Sequence, residues 1–344
     1  MKIGINRLIY FSYKISRFTC VCAFFVVPLQ QNWANRQMES ITCTYYCVAE
    51  HTFAVEYSKS ELLGCLSNYE PFVQQDTTSP VFSLRVDLNG MLREEECATF
   101  THVFTDNAEA DMPRIEVYEH EQKWLMRVSQ VADSPICCEV ECDKTFEHGT
   151  LRIAVGCQDM RFCIDTALML MYAFRTAPLK TLVMHAAVVV RQETARGYLF
   201  LGHSGTGKST HARMWLQAFS DAWLLNDDNP ILRVMEDGEV RVYGSPWSGK
   251  TPCYINEYAR VGGIVKLSQA PHNKMLTPSL PEVYAYMLSS SSGLKIKGGI
   301  ADALHETIVH VITHVACHHL ECLPNTEAAE VCWASVERLS IQKL

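Results

Sequence analysis

Residues 202–210 read GHSGTGKST, and no other stretch of the chain restricts its local fold as tightly. The spacing is G-x-x-x-x-G-K-[ST], in which glycines permit turns that converge successive backbone N–H groups on one concave anion site. Such a loop is confirmed by a strand entering it and a helix leaving it. GYLFLG (197–202) has the apolar density of a buried strand, and STHARMWLQAF (209–219) has helical periodicity. The helix would point its positive dipole end at the bound anion. The pattern therefore predicts a nucleotide-phosphate site in an α/β arrangement. Gly202, His203, Ser204, Gly205, Thr206 and Gly207 form the cradle, Lys208 bridges the β- and γ-phosphates, and Ser209 offers its hydroxyl to Mg²⁺. Thr210 is a further candidate phosphate contact. The expected cofactors are ATP and Mg²⁺.

The next acidic residues narrow the chemistry. LLNDDNP (224–230) places Asp227 and Asp228 only 18 and 19 residues beyond Ser209, leaving room for one helix and one strand between them. Both carboxylates can thus return to the phosphate site. Neighbouring side chains on an extended strand point in opposite directions, which suits a division between metal binding and proton acceptance. The same composition also makes a good turn.

GHSGTGKST, the closely following LLNDD and the strand histidine of MHAAVVV together resemble the HPr kinase/phosphorylase family and its relatives in the phosphoenolpyruvate carboxykinase-like P-loop superfamily. The resemblance covers residues 182–232 well, the remainder to the C-terminus loosely, and the first half not at all. It implies an α+β fold whose C-terminal domain has a mixed sheet with flanking helices, and it implies a homo-oligomer. It also implies that the loop binds ATP, that Ser209 and Asp227 hold metal, that Asp228 is the base, and that His185 and Lys208 act beside it. The two aspartates could exchange roles. Thr210 stands where HPr kinases commonly carry glutamate, Ala186 where they usually have glycine, and RVYGSPWSGK lacks their arginine-glycine segment. HPr is therefore not the expected acceptor. The expectation is a kinase that transfers the γ-phosphoryl group of ATP to a hydroxyl of a protein, peptide or small molecule. The alternative is a catalytically silent ATP-binding regulator.

With 344 residues the chain has room for two domains. The boundaries read as a leader over 1–37, a β-rich domain over 38–157 and the nucleotide-binding domain over 158–344. The leader's apolar run, Phe18–Leu29, is too short to span a membrane, so no stable membrane insertion is expected. Thirty Lys+Arg against 38 Asp+Glu give a net charge of -8, which argues against nucleic acid as a partner. The 15 cysteines, odd in number and often within apolar runs, read as reduced thiols in a cytoplasmic protein. Cys43/Cys47 and Cys138/Cys142 have thiols four apart, but strand-like alternation around them and the absence of a matching pair disfavour zinc.

In the first half, segments 51–58, 81–88, 114–120, 123–130, 136–142 and 150–156 read as short strands. SNYEPFVQQDTTSP (67–80) reads as a linker. A helix is expected over 159–178, capped by Asp159 and serving as a hinge. TLVMHAAVVV (181–190) reads as one buried strand, SSSSG (289–293) as a mobile loop, and 302–320 as one helix. On that helix His310, His314 and His318 would share a face, best read as packed. Trp215, Trp223 and Trp333 read as core. GSPWSGKTP (244–252), with an exposed Trp247 and the cation Lys250, is a candidate loop for closing over phosphates or positioning an acceptor. Arg260 is a weaker second cation.

Overall fold

Apolar alternation in the first half and continuous apolar runs in the second produce two different kinds of sheet. The computed structural model describes residues 41–58, 62, 64–75, 79–106, 113–249, 251–296 and 298–342. The expected leader and Lys250 lie outside the described residues. Chain contacts define two units, Met1–Thr42 with Tyr57–Leu63, and Cys43–Glu56 with Gly64–Leu344. Of the first unit only two strand ends and Leu62 are described. Everything below concerns the second.

The first sheet is built from β1 (Ile41–Val48), β2 (His51–Ser58), β3 (Val73–Gln74), β4 (Phe82–Asp87), β5 (Thr101–Asp106), β6 (Arg114–His120), β7 (Lys123–Ser129), β8 (Ile136–Asp143) and β9 (His148–Ile153). Their order is β3-β1-β2-β4-β9-β8-β7-β6-β5, with β4 parallel to both its neighbours. The six strands expected from alternation are present, and β1, β3 and β5 were not foreseen. A one-turn helix, α1 (Glu94–Cys97), precedes β5.

Segment 67–80, expected as a linker, forms secondary structure over residues 67–74. It opens with a 3-10 turn, Ser67–Phe72, whose Asn68, Tyr69 and Phe72 are buried. After the first sheet comes α2 (Met160–Thr176), capped as expected by the Asp159 carboxylate accepting from the Phe162 N–H at 2.9 Å. It packs against β4, β8, β9 and the first strand of the second sheet.

That second sheet comprises β10 (Thr181–Met184), β11 (Ala186–Arg191), β12 (Arg196–Leu201), β13 (Ala222–Asp228), β14 (Ile231–Val234), β15 (Val240–Tyr243), β16 (Tyr258–Gln269), β17 (Lys274–Leu276), β18 (Ser291–Ser292) and β19 (Cys317–Cys322). The order is β13-β11-β12-β16-β15-β14-β10-β18, and β19 joins β16 in parallel. Helices α3 (Lys208–Ala218) and α6 (Thr326–Gln342) cover one face, α4 (Leu280–Ser290) and α5 (Gly299–His314) the other. Both faces being covered explains the unbroken apolar sequence of β11. Ala186 and Val188 enter the α4/α5 core, while Ala187 and Val189 enter the α3 core around Trp215. The described chain is thus mixed α/β, with two mixed sheets. Among the described residues no helix is long and apolar enough to cross a membrane.

Several expectations fail here for identifiable reasons. TLVMHAAVVV is two strands, because β10 pairs with β14 and β18 whereas β11 pairs with β12 and β13. SSSSG is no free loop: Ser290 and Ser291 are buried, and β18 pairs with β10, whose neighbour His185 donates its N–H to the Ser290 carbonyl. The expected helix over 302–320 starts at Gly299 and stops at His314, after which the chain enters β19. His310 and His314 stack at 4.1 Å, but His318 belongs to a strand, so no three-histidine stripe exists. Trp215 is fully buried, and Trp333 and Trp223 pack against the two cores, as expected.

Two histidines are folded in as neutral groups. Burial depresses His211 on α3 to about 4, and burial together with the Arg233 charge depresses His51 to about 3. The unfolded chain therefore binds more protons than the folded one below pH 6.5. Stability should be fully present above that pH and fall by roughly 1.4 kcal/mol per pH unit for each histidine as pH drops toward 4. Denaturant melts at pH 7.5, 6 and 5 measure the slope, and His211→Gln should make it shallower by about one proton; an unchanged slope would contradict the assignment.

Candidate functional site

β12 delivers the chain into the glycine loop, and α3 begins at its end. Gly207, the residue before the helix, has φ 106, a left-handed conformation that a side chain would strain. The turn is closed by the Thr206 N–H donating to the His203 carbonyl at 3.2 Å. Lys208 is buried, and its ammonium folds back over the loop, donating to the carbonyls of Gly202 at 2.9 Å and His203 at 3.3 Å.

A third contact extends the chain of polar groups away from the loop. Lys208 Nζ lies 2.8 Å from His185 Nε2, and His185 Nδ1 lies 3.0 Å from Asp228 Oδ1. An ammonium can only donate, so Nε2 must accept, which assigns the neutral Nδ1–H tautomer and makes Asp228 the acceptor on the other side. Lysine, imidazole and carboxylate form one chain. His185 occupies this position because the polypeptide breaks there, leaving one part of the sheet for another.

The aspartates face opposite ways. Asp227 pairs with Ala187, which packs toward α3, and Asp228 pairs with Ala186 on the other face. Asp227 is buried, and its charge, after burial itself, pushes the neighbouring Cys253 thiol up to about 11. Asp228 is about one-third exposed and holds Asn229, whose side-chain amide donates to its second oxygen at 2.9 Å. Ser209 is exposed, and Thr210 accepts from Arg213 at 3.3 Å.

β13 is the sheet's edge, and the segment after β15 runs along it. Gly249 donates its N–H to the Asp227 carbonyl at 2.8 Å, and Ser248 bridges Asp228. Cys253 directs its thiol at the carbonyls of Leu224 and Leu225, 3.5 Å from each. Fully buried Asn226 donates to Ser245 Oγ at 3.2 Å and accepts from the Asp228 N–H at 3.1 Å. Trp247, expected to be exposed, is buried. Its indole N–H donates to the Tyr69 hydroxyl at 2.9 Å, and that hydroxyl donates to Asp165 at 2.9 Å. Burial raises the Asp165 carboxyl, against hydrogen bonds from Asn68 and Tyr69. Asn226, Ser245, Tyr69 and Asp165 went unrecognised in the sequence, since only contacts between distant segments reveal them. Arg260 is exposed and pairs with Glu239.

His185, Asp228, Ser248 and loop residues Gly202, His203 and Ser204 line one cleft of about 1290 Å³. From α2 it is lined by apolar Phe162, Met169 and Leu170 beside polar Arg161 and Asp165, and Lys266 adds positive charge. Ligand pockets commonly enclose about 300–1000 Å³, so the volume accommodates more than one small molecule.

The close approach of the edge segment makes a direct prediction. A Cβ on Gly249 would lie 2.7 Å from the Asp227 carbonyl oxygen, so Gly249→Ala must push the segment off β13. A loss of about 1–3 kcal/mol in denaturant melts is expected, with altered Trp247 fluorescence; wild-type values for both would refute the packing.

No protein-family model matches the chain, and no curated protein matches it significantly.

Proposed function

We propose that the chain is an ATP- and Mg²⁺-dependent kinase of the HPr-kinase-like type, with a P-loop domain of that kind, phosphorylating a hydroxyl group. The observation that carries this reading is the chain from Lys208 through His185 to Asp228, which links the phosphate loop to a carboxylate in one cleft. A loop that only stores nucleotide needs no such carboxylate.

The residues fit the ligands. The loop offers backbone donors and a lysine that now donates to two of the loop's own carbonyls and to His185, and Ser209 is exposed with a hydroxyl of the kind Mg²⁺ takes. ATP would supply the phosphoryl group and Mg²⁺ would offset its charge. Lys208 would leave the Gly202 and His203 carbonyls to hold phosphate oxygens. Asp228 would accept the proton of the attacking hydroxyl. Its Oδ1 is oriented by the His185 Nδ1–H and its Oδ2 by Asn229, and each oxygen keeps a further lone pair. Asp227, on the α3 face, is the proposed metal ligand. The apolar residues that α2 contributes and the cleft's size favour an acceptor larger than water, held beside the nucleotide. A cytoplasmic location follows from the need for ATP.

Incubation with γ-labelled ATP and cell extract tests the reading. Asp228→Asn should cut labelling of the acceptor by about 100-fold or more while leaving ATP binding intact. Lys208→Ala should abolish ATP binding. If wild type binds ATP yet neither it nor Asp228→Asn labels anything, the kinase reading fails and a silent nucleotide-binding role replaces it.

A further inference from the structure

Away from the cleft, four cysteines from three segments gather beside the start of α2. The sulfurs of Cys137, Cys138 and Cys163 all lie within 4.8 Å of one another, and Cys157 Sγ is 3.7 Å from Cys163 Sγ. All four are free thiols.

Consecutive residues on a regular strand cannot both face one ligand. At this point β8 is not regular. Ser129 of β7 pairs with Ile136 and Val128 pairs with Cys138, so Cys137 is an extra residue with no register partner on β7. Such a bulge re-aims side chains locally, and here it brings two adjacent thiols to the same side. Cys163 comes from the first turn of α2, and Cys157 from the turn that leads into it, where its N–H donates to the Ala154 carbonyl. The helix start lends partial positive charge, which favours thiolates. Cys138 and Cys163 are buried and Cys137 and Cys157 half-buried, so the cluster is closed by protein on most sides.

We infer that Cys137, Cys138, Cys157 and Cys163 form a structural zinc site. With Zn–S bonds of about 2.3 Å, the sulfurs of a tetrahedral site stand about 3.8 Å apart. The 3.7 Å separation of Cys157 and Cys163 already matches that edge, Cys137, Cys138 and Cys163 need only a small contraction, and Cys157, which stands outside their 4.8 Å group, would swing inward to close the tetrahedron. Four thiolates and no open position make the site structural, not catalytic. It pins β8 to α2, the helix whose Arg161, Phe162, Asp165 and Met169 line the cleft. The order is C-C-x18-C-x5-C, unlike the paired C-x2-C of zinc ribbons, so the pattern was invisible before the bulge was seen.

The test uses the full chain purified under reducing conditions without chelator. One zinc per chain is expected by elemental analysis, and cobalt exchange should give the intense thiolate-to-metal charge-transfer absorption. Cys138→Ser/Cys163→Ser should lose at least tenfold in bound metal, whereas Cys332→Ser, in a different core, should keep it. Because the double variant removes two buried thiols, Cys157→Ser is measured as well. It should remain folded by circular dichroism and lose about a quarter of the charge-transfer intensity, as one of four thiolates is removed. Folded wild type that takes up neither zinc nor cobalt overturns the site. Full intensity in Cys157→Ser overturns the four-thiolate assignment.

Discussion

A buried ammonium must find acceptors for its three N–H bonds, and Lys208 finds them in the carbonyls of Gly202 and His203 and in His185 Nε2. This requirement organises the centre of the second sheet. It fixes the tautomer of His185, which in turn gives Asp228 a donor. It also ties the start of α3 to the point where β10 ends and β11 begins. The three residues come from a helix, a strand junction and an edge strand, so the bonds between them hold three elements in register.

The edge strand poses a second problem. β13 carries both aspartates and has β11 on only one side, which would leave its other backbone groups open. Residues 245–249 answer this by lying against it, with Gly249 on Asp227, Ser248 on Asp228 and Ser245 on Asn226. Trp247 anchors the same segment to Tyr69 and, through it, to Asp165 on α2. The polar groups that cover the edge therefore also build the cleft wall. Asp165 illustrates the cost of this arrangement: burial disfavours its charge, and the Asn68 and Tyr69 hydrogen bonds and the Arg161 charge offset the penalty.

Much of this was legible in the chain of letters. The glycine loop with its flanking strand and helix, the six alternating strands of the first half, the Asp159 cap and the tryptophan cores all follow from local rules of backbone freedom and periodicity. The errors have one origin. An apolar run such as TLVMHAAVVV records burial on both faces but not which strand pairs with it, and serine-rich SSSSG records small side chains but not whether a neighbouring strand uses them. Cys137 and Cys138 looked like ordinary alternation because a bulge leaves no mark on composition.

Sequence alone determined the elements whose cause lies within a few residues: where the backbone can turn, which residues must be buried, and that a glycine-rich turn joins a strand to a helix at 202–209. Tertiary structure decided what those elements meet. It separated His185 from the strand it seemed to belong to, buried Trp247, and gathered four thiols from three segments. Each of these depends on contacts between segments tens of residues apart, and side-chain periodicity, a local property, carries no information about which distant surface will come to rest against it.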